Sequence, residues 1–111
     1  MNINNYKFIS LEPSTDNRYR FMALFRNIKT NKIKIIKFAG INTINYTDLY
    51  HINRDEAKHI QDKFIRRYLM TDYSNPLKSH FWNVNYCYSK CSYEIAYRCI
   101  TYQLKKLNLI L

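Results

Sequence analysis

The chain has 111 residues, the length of one ordinary domain, and 47% of them are hydrophobic. It carries 18 Lys and Arg residues against 8 Asp and Glu residues, a net charge of +10. The hydrophobic fraction excludes an intrinsically disordered chain. The single glycine excludes glycine-rich phosphate loops, the dinucleotide-binding fingerprint and the nucleophile elbow of hydrolases. We therefore expect a single basic α+β domain over residues 1–111.

The first half of the chain predicts three strands within residues 6–38. Tyr6–Leu11 is short and rich in apolar residues. Tyr19–Arg26 and Lys32–Phe38 alternate between apolar and polar residues, as half-buried strands do. The segments between them are short and rich in Asn, Asp, Ser and Thr, which are turn-forming residues. We therefore predict a three-stranded antiparallel meander.

The third strand has lysines on its predicted outward side. The alternation predicts that Ile33 and Ile35 point inward while Lys32 and Lys34 point outward, until the phase shifts before Lys37. Lysines of this kind protect an edge strand from aggregation. They also suit an anionic ligand, and the sequence favours neither role.

An irregular connector follows the strands over residues 39–52 and is rich in Asn, Thr and Tyr. It holds Gly40, the only glycine of the chain. A glycine this rare is expected where the backbone φ is positive or where the backbone is crowded.

The second half predicts about three packed helices within residues 53–107. The first begins at the N-cap Asn53, the second restarts at Asn75-Pro76, and the third runs from near Ser92 to about Leu107. Apolar residues at helical spacing define the predicted buried stripes. They are Ala57, Ile60, Phe64, Ile65, Tyr68 and Leu69 in the first helix, and Ile95, Ala96, Cys99, Ile100, Leu104 and Leu107 in the last.

Sequence patterns for catalysis or metal binding are weak. His80, Cys87, Cys91 and Cys99 lack the paired spacing of zinc ligands, and an odd number of cysteines indicates no disulfide framework. A nuclease would need converging carboxylates. Asp48, Asp62 and Asp72 have no capping or turn role but are scattered, and only Asp48 and Asp62 are candidates to meet. We therefore predict no catalytic residue, no metal site, no cofactor and no enzymatic activity.

The basic excess is the stronger functional feature. We predict sequence-independent phosphate contacts to nucleic acid or another polyanion. The predicted binding residues are Lys32, Lys34, Lys37, Arg66 and Arg67. The alternative is a structural protein that contacts other proteins through exposed tyrosines and Trp82. No apolar run is long enough for a membrane span and no secretory signal is visible, so neither membrane association nor secretion is expected.

The segment Phe38–Thr47 carries a family resemblance. Phe38, Tyr46 and Thr47 match the pattern Phe-Gly-x-x-Gly-x-x-Asp-Tyr-Thr, and Asn75-Pro76 matches a later Asn/Asp-Pro step. The pattern is that of a small domain family of nucleocytoplasmic large DNA viruses, the mimivirus-like and chlorella-virus-like giants. The resemblance implies a virion or a viral factory in the host cytoplasm. Asn, Ile, Lys and Tyr make up 49 of 111 residues, a bias typical of an AT-rich genome that agrees with this context.

The chain departs from that pattern at several positions. Ala39 and Asn42 replace its glycines, Asn45 its Asp, Tyr68 a later His, and Tyr88 a later Trp. Loss of the Asp and the His favours a structural role, in which an Asn caps a turn and a helix packs on it. The residues assigned to this role are Phe38, Gly40, Asn45, Tyr46 and Thr47.

Overall fold

A computed structural model describes residues 3–68 and 73–110. Three strands form one antiparallel sheet in the order β1–β2–β3. They are β1 (Tyr6–Pro13), β2 (Tyr19–Asn27) and β3 (Ile33–Gly40). Helices follow the sheet in the chain, so the predicted α+β class with a three-stranded antiparallel meander is confirmed.

Polar side chains close the two hairpin turns. The Asp16 carboxylate accepts a hydrogen bond from the backbone N–H of Arg18 at 3.0 Å. The Asn27 side-chain carbonyl accepts one from the N–H of Lys29 at 2.9 Å. Asx turns of this kind bend the backbone locally, which explains why short polar segments can join the strands.

The predicted facing of β3 is wrong. β3 keeps a regular register against β2, with Lys34 opposite Phe25, which is fully buried. Lys34 therefore lies on the inner face of the sheet, which the helices cover, whereas Ile33 and Ile35 lie on the outer face and are 50% and 49% exposed. The expected phase shift before Lys37 does not occur. The buried Ile36 and Phe38 decide the phase of the strand, because successive residues of a strand alternate between its faces.

The helical part contains two long helices and two short ones within the described residues. They are α1 (Tyr46–Leu49), α2 (Arg54–Tyr68), α3 (Ser79–Trp82) and α4 (Tyr93–Lys106). A π-helical turn, Asn83–Cys87, continues directly from α3. Across the described part of the chain, every helix is too short or too polar to traverse a lipid bilayer.

The two long helices begin where their N-caps predict. The Asn53 side chain accepts a hydrogen bond from the N–H of Glu56 at 3.1 Å, and the Ser92 side chain accepts one from the N–H of Ile95 at 3.2 Å. The helix α1 was not predicted, since it lies inside the segment expected to be irregular.

The predicted helix start at Asn75-Pro76 is wrong. The Asn75 side chain accepts a hydrogen bond from the N–H of Leu77 at 2.9 Å and closes a turn, so α3 begins only at Ser79. Asn and Pro favour a helix start and a turn alike, and here the turn delivers Trp82 to the core.

The core is centred on Trp82, which is fully buried. Its ring stacks on Phe8 and Phe38, with centroid distances of 5.8 and 5.6 Å, and meets Phe25 edge-on at 6.3 Å. Its indole N–H donates to the Pro76 carbonyl at 2.7 Å. The prediction that Trp82 is an exposed interface anchor is therefore wrong, since the chain uses its only tryptophan to join the helices to the sheet.

The predicted stripe of α4 is partly wrong. Ala96, Ile100 and Leu104 are fully buried, whereas Ile95 and Leu107 are exposed. Residues four apart lie on one helix face, and the narrow buried face leaves the flanking Ile95 outside it. For the predicted stripe of the first helix, the Tyr68 side chain and Leu69 lie outside the described residues.

Ala39 and Gly40, which were predicted to begin the connector, instead end β3, and the residue with a strained backbone is Ala39. Ala39 has φ of 62°, a left-handed conformation that is about 1–2 kcal/mol unfavourable for residues with a Cβ. Gly40 has no positive φ, and a Cβ added to it would lie 3.6 Å from the Thr43 side chain, an ordinary contact. Neither predicted reason for a glycine at position 40 therefore applies. The Asn83 side-chain carbonyl holds Ala39 in place by accepting its backbone N–H at 3.0 Å.

Candidate functional site

The motif residues Asn45 and Thr47 lie at the start of α1 and anchor that helix. Asn45 is the N-cap of α1 and is almost completely buried. The buried Thr47 hydroxyl lies 2.9 Å from the Cys87 carbonyl and 3.0 Å from the Lys90 carbonyl. It therefore supplies a hydrogen-bond donor to carbonyl groups at and just after the end of the π-helical turn. These contacts tie α1 to the segment that precedes α4.

Asp48 is the centre of a half-buried polar network. Arg20 donates two hydrogen bonds to its carboxylate, at 2.6 and 3.1 Å. Tyr93 donates its hydroxyl to the same group at 2.6 Å, and the backbone N–H of Asn45 donates at 3.0 Å. Four donors on one carboxylate indicate that Asp48 holds β2, α1 and α4 together, a role different from the nuclease role considered from sequence.

The network shifts the ionisation of its members. Desolvation raises the pKa of Asp48, but the hydrogen bonds from Arg20, Tyr93 and Asn45 outweigh it, so the pKa of Asp48 is lowered overall. Burial, and then the hydrogen bond to Asp48, raise the pKa of the Tyr93 hydroxyl. At neutral pH Asp48 is therefore ionised and Tyr93 is a neutral donor.

The cysteines do not form a metal centre in the part of the chain that is described. No group of three or more His, Cys, Asp or Glu side chains there is arranged to hold a metal ion. Cys87, Cys91 and Cys99 are free thiols. Burial raises the pKa of the Cys87 thiol, which keeps it protonated at neutral pH and unreactive as a nucleophile.

A cavity of about 450 Å³ lies between the end of β3, the following loop and α2. We call it the α2 cavity. This volume falls within the roughly 300–1,000 Å³ typical of small-molecule sites. Its walls combine cationic, amide and apolar side chains. They are formed by Ala39, Gly40, Asn42, Thr43, Ile44, Asn45, Ile60, Lys63, Phe64, Arg67, Asn83 and Tyr88.

The floor of the cavity is formed by two stacked aromatic rings. The rings of Phe64 and Tyr88 are buried and stack in parallel with a centroid distance of 3.7 Å. The Gln61 side chain donates to the Tyr88 carbonyl at 2.7 Å, which fixes the segment after the π-helical turn against α2. The wall formed by α2 is therefore well supported by packing beneath it.

Three basic residues in the last two turns of α2 form what we call the α2 basic cluster: Lys63, Arg66 and Arg67. All three are exposed. Residues three and four apart on a helix are surface neighbours, with Cβ atoms about 5–6 Å apart. Within the described ranges none of the three makes an ion pair, although Asp62 lies four residues before Arg66. Lys63 and Arg67 face the α2 cavity.

The predicted site residues do not all lie together. Arg67, Gly40 and Asn45 meet at the α2 cavity, beside Arg66. The three lysines near β3 do not join them, because Lys34 lies six residues from Gly40, about 20 Å along an extended strand. Lys34 and Lys37 lie on opposite faces of the sheet, and Lys37 is paired with Asp16 at 3.1 Å. The five residues predicted to bind phosphate therefore do not lie together on one surface.

Lys63 is a site residue that the sequence analysis missed. Its position four residues before Arg67 was visible, but only the fold places both side chains opposite the loop after β3.

No family model, no curated protein and no solved structure matches the chain. The resemblance to the giant-virus family therefore stays a prediction, and a function has to be inferred from the surface and the cavity themselves.

Proposed function

We propose that the protein is a non-enzymatic basic binding module that associates with nucleic acid or another polyanion through sequence-independent phosphate contacts. The α2 basic cluster supports this proposal most directly, because it gathers three exposed cations on one side of a helix with no ion pair inside the described ranges. Neutralising such groups with phosphates releases counterions and drives binding.

The arrangement of the cluster is unfavourable for the helix in isolation. Like charges three and four residues apart destabilise a helix by about 0.2–0.5 kcal/mol per pair. Arg66 and Arg67 are partly compensated by the helix dipole, because they lie in the last turn. A bound polyanion would relieve the remaining repulsion, which is a reason to expect binding on this side of α2.

The lysines near β3 are proposed as a second, weaker contact region. Lys32 is exposed, and neither it nor Lys34 forms an ion pair with any described residue. Lys37 shares Asp16 with Arg18, so part of its charge is already neutralised. A long polyanion that follows the surface would be needed to reach both β3 and α2.

Salt dependence tests this proposal. We expect a fluorescently labelled 20-base-pair DNA to bind the protein about 40-fold more weakly at 200 mM than at 50 mM KCl, since about three phosphate contacts give a log–log slope near −2.7. The Arg66→Ala/Arg67→Ala variant is expected to reduce the magnitude of that slope by about 2. Fluorescence anisotropy titrations at four salt concentrations measure both quantities.

Lys105→Ala/Lys106→Ala is the matched control. Lys105 and Lys106 are also two exposed basic residues in the last turn of a helix, so the variant loses the same charge at the same kind of position. We expect it to retain most of the slope. An affinity that does not change with salt, or an equal loss in both variants, would contradict the proposal.

The viral context is carried over as part of the proposal. If the resemblance at Phe38–Thr47 reflects family membership, the polyanion is viral nucleic acid in a virion or in a cytoplasmic viral factory. The binding experiment does not depend on that context.

A second candidate function is a structural role in contact with other proteins, such as those of a virion. The observation that favours it is the outer face of the sheet, where Ile33 and Ile35 are half exposed on the side away from the helices. Arg26 and Lys37 flank them on the same face, so an acidic and partly apolar protein surface would complement it. β3 is also an edge strand, and edge strands can pair with a further strand.

Self-association provides the first test of that surface. We expect sedimentation velocity to show reversible association of the wild type at high concentration, and the Ile33→Thr/Ile35→Thr variant to reduce it. Ile41→Thr/Ile52→Thr is the matched control, because it removes the same apolar volume from exposed positions off the sheet. A wild type that stays monomeric at every concentration would count against this second function.

A further inference from the structure

The α2 cavity has the chemistry of a site for one phosphorylated ligand. Lys63 and Arg67 lie one helical turn apart on its α2 wall, and no acidic side chain is among its lining residues. Neither cation is paired with an acid within the described ranges. A guanidinium and an ammonium at this spacing can bind one phosphate monoester together, the guanidinium through two parallel hydrogen bonds.

The opposite wall offers hydrogen-bonding groups of a different kind. Asn83 uses its side-chain carbonyl to accept the N–H of Ala39, which leaves its amide N–H₂ as a donor. Asn42 is exposed, and its side chain makes no hydrogen bond to any described residue. Amide side chains pair with the edges of nucleobases because they present a donor and an acceptor side by side.

An apolar surface lies between these polar walls. Ile44 and Ile60 contribute aliphatic side chains, and Phe64 and Tyr88 form the stacked floor. A flat heterocycle with a phosphate attached at one end would place its ring against this surface and its phosphate at the cations. A free inorganic anion would leave the apolar part of the cavity unused.

We propose that the α2 cavity binds one nucleoside 5′-monophosphate unit, with the phosphate at Lys63 and Arg67 and the base toward Asn42 and Asn83. The unit comes either from a free nucleotide or from a single strand of nucleic acid. This inference rests on the proposed function in one respect, which is that the α2 basic cluster contacts phosphate.

Two unique residues make the binding measurable. Gly40 lines the cavity and is the only glycine, so its backbone amide gives an isolated NMR signal, whereas the indole N–H of Trp82 reports the core. We titrate ¹⁵N-labelled protein with AMP, CMP, GMP and UMP, and separately with inorganic phosphate and with adenosine. We expect saturable shifts of the Gly40 amide with a monophosphate, a constant Trp82 indole signal, and at least about tenfold weaker binding of phosphate or adenosine alone.

Three variants test where the ligand binds, and a fourth serves as the control. Lys63→Ala and Arg67→Ala are each expected to weaken monophosphate binding about tenfold or more, because each removes a charge-assisted contact. Lys58→Ala is the matched control, since it removes an exposed charge from a different side of the same helix. Ile44→Trp keeps every charge, and its larger side chain is expected to fill the cavity and abolish binding.

A single-stranded oligonucleotide separates the two sources. If the unit belongs to a strand, a labelled DNA 12-mer is displaced by the monophosphate and loses affinity in Ile44→Trp. If the unit is a free nucleotide, the monophosphate binds while the 12-mer is neither displaced nor weakened. Shifts of Gly40 that do not saturate, or that are equal for phosphate alone and for every monophosphate, would overturn the inference. The proposed function would survive that result if salt-dependent DNA binding still required Arg66 and Arg67.

Discussion

Replacing Trp82 by alanine is expected to lower the free energy of unfolding by about 4 kcal/mol, and by more if the cavity does not collapse. The side chain is fully buried and contacts rings from all three strands. The variant also leaves the Pro76 carbonyl without its indole donor. A domain of this size has a free energy of unfolding of about 5–15 kcal/mol, so the variant loses a large part of it.

Urea unfolding followed by far-UV circular dichroism measures this effect, since the variant has no tryptophan fluorescence. Trp82→Phe retains an aromatic ring and is expected to lose about 1–2 kcal/mol. Tyr102→Ala, which truncates an aromatic side chain that is 61% exposed, is expected to lose no more than about 0.5 kcal/mol. An equal loss in Trp82→Ala and Tyr102→Ala would show that Trp82 is not the centre of the core.

The parts of the fold that the sequence predicted correctly depend on local signals. Tyr19–Arg26 alternates over a full strand, and Asn53 and Ser92 cap their helices with their own side chains. Such signals come from residues that are neighbours in the chain, so they depend little on tertiary packing. The α+β class and the antiparallel meander follow from these elements and from the shortness of the turns.

The errors occur where tertiary packing decides between two local options. Lys34 faces inward because Ile36 and Phe38 determine the phase of β3, and Asn75-Pro76 forms a turn because Trp82 has to reach the sheet. Ala39 adopts a positive φ because Asn83, which is 44 residues away, holds its N–H. None of these outcomes is visible in a short window of sequence.

The left-handed backbone at Ala39 bears on the predicted family resemblance. Ala39 stands where the giant-virus pattern has its first glycine, and φ of 62° is the conformation that favours glycine. A glycine at position 39 would therefore avoid the backbone cost that Ala39 carries. Gly40, its neighbour, has no positive φ and needs no glycine for that reason.

The candidate site was predictable only in part, for a similar reason. The charge of Arg67 predicts a phosphate contact, but its proximity to Gly40 and Asn45 depends on how α2 packs against the loop after β3. Lys63 has the same charge as Lys58, the other lysine of α2, and both are exposed. Only the position of Lys63 at the cavity distinguishes it from Lys58. Composition and spacing therefore identify the helix but not the site.

Replacing Asp48 by asparagine is expected to lower the free energy of unfolding by about 2–3 kcal/mol at pH 7. The change preserves the shape of the side chain, but it leaves the half-buried Arg20 guanidinium without its partner charge. It also weakens the hydrogen bond from Tyr93, which now reaches a neutral acceptor. Asp62→Asn, on the exposed surface of α2, is expected to change stability by no more than about 0.5 kcal/mol.

The difference between the wild type and Asp48→Asn is expected to shrink in acid. Since the pKa of Asp48 in the folded protein is lowered from 3.8, its stabilising effect is fully present above pH 3.8 and is lost as the pH falls through the folded value. Once the carboxyl is protonated, the wild type carries the same neutral charge at this position as the variant. Urea midpoints at pH 7, 5 and 3 measure the change, and other acids such as Asp16 cancel because both proteins contain them. A difference that stays constant from pH 7 to pH 3 would mean that the ionised carboxylate does not stabilise the fold.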